Sequence, residues 1–346
     1  MLSIARTRAE FGADAGFLNT ASVGLPPRAS LAALTAALSS WSAGQAAPQD
    51  YDAVLADARA SFARLLAVPI DTVAQGSQLS VFAGLVAANL PDGAEVVAAR
   101  DDFTSVLFPF LTQHRGVEVR LVPLVEIPQA VRPSTSLVAV SAVQSADGAL
   151  VDLSAVTSAA AAHGAQTFLD VTQAAGWLPI NAASFDYVVC SAYKWLLCPR
   201  GAAFMAIRPE RIDALVPHNA NWYAGDDRWA SIYGGPLRLA KTARRFDVSP
   251  AWLAWVGAAP ALALLEEVGI AAVHAHDVGL ANRFLTGLGL PTGDSAIVSV
   301  AVPEADERLR RAGVRTAVRA GRVRLSFHLY NDEADVDLAL AALTDR

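Results

Sequence analysis

Two side chains, Asp170 and Lys194, have the types and placement for covalent chemistry. Asp170 closes the run 165–169, and Lys194 follows the run 185–190 after Ser191-Ala192-Tyr193. Each run has strand length, and a parallel sheet gathers ligands beyond the carboxyl ends of its strands. A desolvated lysine can form an imine with an aldehyde, and an acid facing it can keep a ring nitrogen protonated. Such a pair suits an aldehyde-bearing cofactor held from both sides. The basic residues sharpen the point: of 27 Lys+Arg, only Lys194 and Lys241 are lysines, leaving 27 − 2 = 25 arginines. Arginine stays protonated and cannot form an imine. A general preference for arginine in this chain would explain the same count, so both readings stand on the residues alone.

The elements that must position this pair follow from periodicity and punctuation. Helical patterns cover residues 30–41, 51–66 and 79–90, and strands are expected at 95–99 and 137–143. Trp41 and Tyr51 read as core. Gly76-Ser77-Gln78 opens the third helix; its free N–H groups and dipole could take a phosphate, and Ser77 could equally be an ordinary N-cap. Phe103 follows a strand, where an aromatic is by default a core residue, with Thr104 and Ser105 beside it. The strand at 137–143 runs into Ser145 and the turn pair Asp147-Gly148. Asn19 and Ser22 lie in a loop broken by Gly and Pro, which reads equally as a simple turn. The stretch 217–235, with Trp222, Tyr223 and Tyr233, has no clear period and is too long for an idle connection, so it is expected to line a substrate entrance. The last hundred residues switch to a small α+β pattern, with helices at 251–268, 273–288, 304–312 and 333–343 and strands at 296–302 and 323–328.

D-V-T-Q (Asp170 to Gln173), S-A-Y-K-W (Ser191 to Trp195) and Pro199-Arg200-Gly201 together resemble the pyridoxal-phosphate site of class V aminotransferases. That fold-type-I group includes cysteine desulfurases, kynureninase and isopenicillin N epimerase-like enzymes, and motifs in the same order run from Phe17 to Asn331. The resemblance implies an α/β fold: a large, mainly parallel sheet sandwiched by helices over 15–250, and a smaller α+β domain from 1–14 and 251–346. It implies pyridoxal 5'-phosphate attached to Lys194, with Asp170 at the ring nitrogen and Gln173 and Ser145 at the phenolic oxygen. Phe103 would stack on the ring. Gly76, Ser77, Gln78, Ser191 and Tyr193 would hold the phosphate, with Gln78 standing where relatives usually carry threonine. Ser249 would reach the phosphate of a neighbouring subunit in a homodimer with shared sites, although Val248 replaces the family's glycine beside it. Arg324, in R-L-S-F-H-L-Y-N, would grip the substrate carboxylate near Asn19 and Ser22, and Trp222 and Tyr223 would contact substrate.

Composition narrows the partners. Hydrophobic residues make up 53% and charged residues 17%, which is ample for a large core. The net charge is −6 without a dense basic run, which argues against nucleic acid. Cys190 and Cys198 are the only cysteines, so a disulfide framework is not indicated and a reducing cytoplasm fits. The uncharged stretch 248–265 reads as a buried helix rather than a membrane span, because Pro and Gly interrupt it and Glu266-Glu267 follow. His274 and His276 sit two apart on a helix, face different ways and do not suggest a metal pair.

The expected reaction acts at Cα of a small amino acid, with Lys194 as base. No cysteine follows Cys198, which disfavours a desulfurase relay through a protein persulfide. Transamination is the first choice because it needs no further group. β-Elimination, including C–S lysis, and epimerisation stand beside it. A non-catalytic binding homologue is the alternative from another class, and an imine-forming lysine argues against it.

Overall fold

The computed structural model describes residues 2–344. Seven strands form the main sheet: β1 (Val73–Gly76), β2 (Glu95–Ala99), β3 (Glu118–Val122), β4 (Thr135–Ser141), β5 (Gln166–Asp170), β6 (Tyr187–Ser191) and β7 (Ala203–Ile207). Their order is β1-β7-β6-β5-β4-β2-β3. Strands β6, β5, β4, β2 and β3 are parallel, whereas β7 runs antiparallel to both β6 and β1. Every residue of β2 and β6 is buried, as expected where helices cover both faces.

The helices are, in chain order, α1 (Ile4–Arg8), α2 (Arg28–Ser42), α3 (Asp52–Leu65), α4 (Leu79–Ala88), α5 (Thr104–Leu111), α6 (Ile127–Ala130), α7 (Leu153–His163), α8 (Pro209–Ile212), α9 (Trp252–Val268), α10 (Ile270–Gly287), α11 (Ala305–Arg311) and α12 (Glu333–Thr344). Helix α7 shows why such boundaries fall where they do. Asp152 caps it by accepting from the Ala155 N–H at 2.9 Å, and Gly164 ends it at φ 72°, a left-handed conformation that suits glycine.

A second sheet of order β8-β10-β9 is antiparallel and comprises β8 (Ile297–Val300), β9 (Ala317–Arg319) and β10 (Arg322–Ser326). One face, with Val298, Val323 and Leu325, packs into a small core under α10, α11 and α12. Ser326 turns the other way: its hydroxyl accepts from the Ala21 N–H at 2.9 Å, tying the small sheet to the entry loop.

Helix α9 is the buried helix expected near residue 250, packed on α2 and α3. Among the described residues no single helix is long and apolar enough to cross a membrane; α9 and α10 meet that measure only as a pair bent by 85°. Trp41 corrects the sequence reading. It is 63% exposed, whereas Tyr51 is buried and stacks on Trp252 at 5.2 Å.

Candidate active site

The parallel strands end side by side, and their last residues converge. Beyond β2 lies Asp102, β4 ends at Ser141, β5 at Asp170 and β6 at Ser191. A cavity of about 240 Å³ opens over these ends, lined further by Ser77, Gln78, Phe103, Ser145, Gln173, Tyr193 and Lys194. Most of the expected site residues therefore meet in one place.

Asp170 is buried and accepts from the Thr172 N–H at 2.7 Å. Burial raises its carboxyl to about 6; hydrogen bonding from Thr172 opposes the rise and the neighbouring Asp102 charge adds to it. Asp102 is held by the Ser141 N–H at 2.8 Å and by the Ser141 hydroxyl. Lys194 is buried, and its amine makes no hydrogen bond among the described residues. Burial lowers it to about 8, against the opposing pull of Asp170 and with help from the Arg324 charge. Its Nζ stands 5.4 Å from the Phe103 ring centre and 5.7 Å from that of Tyr193. Phe103 is 47% exposed, so it is not the core residue that its place after a strand suggests.

Two glycines shape the backbone around the lysine. Gly24 donates its N–H to the Tyr193 oxygen at 3.0 Å, and a Cβ there would overlap the Lys194 carbonyl. Gly176, at φ 112°, leaves room for the Trp195 carbonyl in the same way.

Gln173 is fully engaged. Its amide nitrogen donates to the Ala21 oxygen at 2.9 Å and to Ser145 Oγ at 3.0 Å, while Oε1 accepts from Trp195 Nε1 at 2.8 Å. Ser145 Oγ also accepts from Arg324 at 3.2 Å, which leaves its own hydrogen to donate. Arg324 is 1% exposed. Its other terminal nitrogen donates to Ser22 Oγ at 2.8 Å, and Nε has no partner. The donors of Arg324 meet only neutral acceptors among the described residues, and burial lowers its guanidinium to about 10.

At the other end of the cavity Ser77 and Gln78 precede α4. Ser191 Oγ accepts from the Leu79 N–H at 3.0 Å, so the helix start is already braced on β6. Gly76 is buried in β1, where a Cβ would press on the Phe82 ring.

Arg324, Ser22 and Gly76 are not part of the cavity lining, Arg324 meeting it through Ser145, and the remaining expected residues lie off it too. Asn19 bridges to Ser326 and leaves its side-chain oxygen unpartnered. Ser249 is exposed and follows Val248, whose N–H donates to the Gln75 oxygen at 3.2 Å. Tyr223 is buried with its hydroxyl on Asp52 at 2.9 Å, and Trp222 packs edge-on against it. Arg228 and Trp229 also donate to Asp52, so this carboxylate anchors the loop on α3. No residue of 217–235 lines the Lys194 cavity within one chain, and Tyr233 is 91% exposed.

The sequence reading missed Asp102 and Ser141, and gave no role to Thr172 and Arg200 although both stand in the motifs that carry the resemblance. Arg200 lines the cavity with its guanidinium 5.1 Å from the Tyr193 ring centre. Asp102 had a usable signal of its own, an acid just beyond a buried strand, and Ser141 had none.

The model of the family Aminotransferase class-V matches residues 42–293. The chain belongs to that family. It is 28% identical to an uncharacterized aminotransferase, YcbU, of Bacillus subtilis over 82% of this chain and 81% of that one. It is 27% identical to isopenicillin N epimerase of Streptomyces clavuligerus over 94% of each, and 28% identical to kynureninase of Deinococcus radiodurans over 82% and 73%. In architecture it is similar to the cysteine desulfurase CsdA of Escherichia coli, with a TM-score of 0.85 at 20% identity over 99% and 98% of the chains. A structure of C-DES with glycine covalently linked to its PLP cofactor gives 0.88 at 20%, over 98% and 99%. At such identities these structures show the fold alone: fold type I.

This class V enzyme is pyridoxal-phosphate-dependent, and the residues present fit that group. A buried acid and a buried amine without a hydrogen-bond partner border one cavity, an aromatic ring stands over the amine, and a helix start closes the far end.

Proposed function

We propose that this class V enzyme is an aminotransferase acting on a small amino acid. The observation that carries the reading is the single amine lining the cavity. Transamination asks one base to take a proton from Cα and return it elsewhere, and Lys194, lowered to about 8, can do both near neutral pH. The lining contains no histidine, cysteine or glutamate as a second acid–base group. Epimerisation needs donors on both faces of Cα. A desulfurase needs a later cysteine, and none follows Cys198.

When bound, pyridoxal phosphate supplies the electron sink that makes the Cα proton removable. The protein's part is holding and proton transfer. Arg324, buried without an anion, binds the α-carboxylate, and Ser22 and Ser145 fix its fork. Asp170 would face the ring nitrogen; the Thr172 N–H holds it in place, and the Asp102 charge adds to the rise of its carboxyl. Phe103 would cover the ring face, and Gln173 with Ser145 would border its phenolic oxygen. Ser77, Gln78, Ser191 and Tyr193 would form the phosphate end, with Gly76 just before them in β1, and the α4 start offers N–H groups and a favourable dipole there.

We further propose a homodimer with shared sites. A groove lined by Leu34, Trp41, Tyr51, Trp252 and Leu253 reaches Arg200, which also lines the cavity. A second copy seated there would bring Ser249, and the loop carrying Trp222 and Tyr223, toward the neighbouring site. The division into 15–250 and the remainder is proposed on the second sheet, whose core comes from residues 280–343 and Leu18. A reducing cytoplasm is proposed on the two cysteines, both free and buried.

The test is direct. Purified protein should be yellow, borohydride should fix the cofactor on the Lys194 peptide, and Lys194→Ala should lose both. Amino donors are then offered with pyruvate, with 2-oxoglutarate or with no acceptor. Keto acid formed only with an acceptor supports the reading. Keto acid without one would show elimination, racemised donor would show epimerisation, and a coloured protein that turns over nothing would show a binding homologue.

A further inference from the structure

His328 lies two residues beyond β10, the strand that carries Arg324, and it is fully buried. Its ring joins distant parts of the chain. Nδ1 stands 2.8 Å from Oδ2 of Asp277 on α10, and Nε2 stands 3.1 Å from the main-chain oxygen of Trp195. Trp195 follows Lys194 directly, and its indole braces Gln173. Neither His328 nor Asp277 lines the cavity, so the reaction leaves a wholly buried acid and imidazole unexplained.

The hydrogen bonds fix the proton count. A carbonyl oxygen only accepts, so Nε2 carries a hydrogen. The contact between Nδ1 and Oδ2 is a hydrogen bond only if a further proton sits on one of those atoms. Without it, lone pairs would face each other at 2.8 Å in a dry site. The pair therefore retains one proton, either as imidazolium with carboxylate or as neutral ring with neutral acid. Oδ1 of Asp277 has no partner, and burial raises this carboxyl above its ordinary range. Both observations favour the neutral acid, because an unpaired carboxylate oxygen is costly to bury. The titratable groups around the pair are His274 and His276 on the same helix, Tyr330 beyond β10, and Lys194 on the far side of Trp195. His274 stacks on Trp177 at 5.8 Å, His276 meets the Asn331 oxygen at 3.1 Å, and Tyr330 lies edge-on to His328 at 5.7 Å.

We propose that the His328–Asp277 pair is a positioning device for Lys194: Asp277 fixes the ring so that Nε2–H always points at Trp195, and this grip holds the backbone that carries the lysine. The inference rests on Lys194 being the cofactor-bearing residue. Because His328 continues β10, the same grip sets the spacing between the lysine and the carboxylate site at Arg324.

The experiment compares the holoenzyme with two variants. Asp277→Asn keeps the grip, since the amide donates to Nδ1 and leaves the hydrogen on Nε2. Asp277→Leu combined with His328→Phe removes both side-chain polar groups, leaves the Trp195 carbonyl without its donor and keeps an aromatic ring against Trp195 and Tyr330. Cofactor release by hydroxylamine and the pH midpoint of the bound cofactor's absorbance are the readouts, and neither needs a substrate. The double variant should release cofactor about tenfold faster or more, the loss of one buried hydrogen bond, while Asp277→Asn stays within about twofold of the parent. Its absorbance midpoint should move by about half a unit or more.

A folded double variant with parental release and midpoint overturns the proposal, as does an Asp277→Asn protein as impaired as the double variant. A parent that gives no borohydride adduct at Lys194 overturns the cofactor-lysine reading instead. The parent's ¹⁵N-histidine spectrum decides the matter should the double variant not fold. A hydrogen on Nε2 of His328, identified by its absence in His328→Gln, supports the proposal, and a bare Nε2 overturns it.

Discussion

Burial raises the Asp170 carboxyl to about 6, from 3.8 in an ordinary aspartate. Between those values the folded chain binds more protons than the unfolded one, so stability falls as pH rises through the window. About two units correspond to about 3 kcal/mol, lost in full above pH 6. The cofactor-free protein should therefore unfold at a lower temperature at pH 7 than at pH 5, and Asp170→Asn should narrow that gap. The same substitution should weaken cofactor binding about tenfold or more, because a neutral amide cannot balance a ring cation. Melting curves and absorbance titrations check the two halves separately. Arg324→Lys keeps the charge but loses the fork, and KM for the amino donor should rise by about tenfold to a hundredfold. Lys194 and Asp170 were legible in the sequence because Asp170 closes a buried run and Lys194 follows one closely. Asp102 and Thr172 were not, since their importance comes from what Ser141 and Asp170 do in three dimensions. That Arg324 meets no carboxylate among the described residues is likewise a fact of packing.

Among the elements, β1 was the least legible. Four residues are too few for a period to declare itself, and Gln75 within them looks like a loop residue. It is buried because Arg59 and Asp247 satisfy it: Arg59 donates to Gln75 Oε1 at 2.6 Å, and Asp247 accepts from the Gln75 N–H at 2.8 Å. Arg59 and Asp247 form a buried pair at 2.5 Å, so the strand before the phosphate end and the segment before Ser249 share one anchor. Arg59→Met would leave Asp247 uncompensated and should cost about 3–5 kcal/mol in denaturant unfolding. The helices α2, α3, α4 and α9 to α12 were readable to within a few residues, because their apolar faces are local, whereas α5 and the Ala-rich α7 were not read at all. Gly24 is a different kind of element, a spacer against Lys194. Gly24→Ala should lower cofactor occupancy, read as the visible to ultraviolet absorbance ratio, more than it lowers the melting temperature.

For the whole molecule, the parallel sheet and the small terminal sheet followed from the order of strands and motifs, and the antiparallel β7 did not. Trp41 shows the limit most clearly. Its helical spacing suggested a core residue, yet it stands exposed on a groove that one chain leaves open. Spacing tells which side chains share a face, but not whether that face is covered by the same chain. If the proposed homodimer forms on this groove, Trp41→Glu should shift light scattering toward the mass of one chain and reduce cofactor occupancy with it.

The scarcity of lysine has a practical side. One of the two is buried beneath Phe103 and Tyr193, and the other, Lys241, is exposed. Apart from the N-terminal amine, an acylating dye or an activated resin would thus meet a single reactive handle on each polypeptide. The protein comes ready for tethering in one orientation, without engineering and with its chemistry left intact.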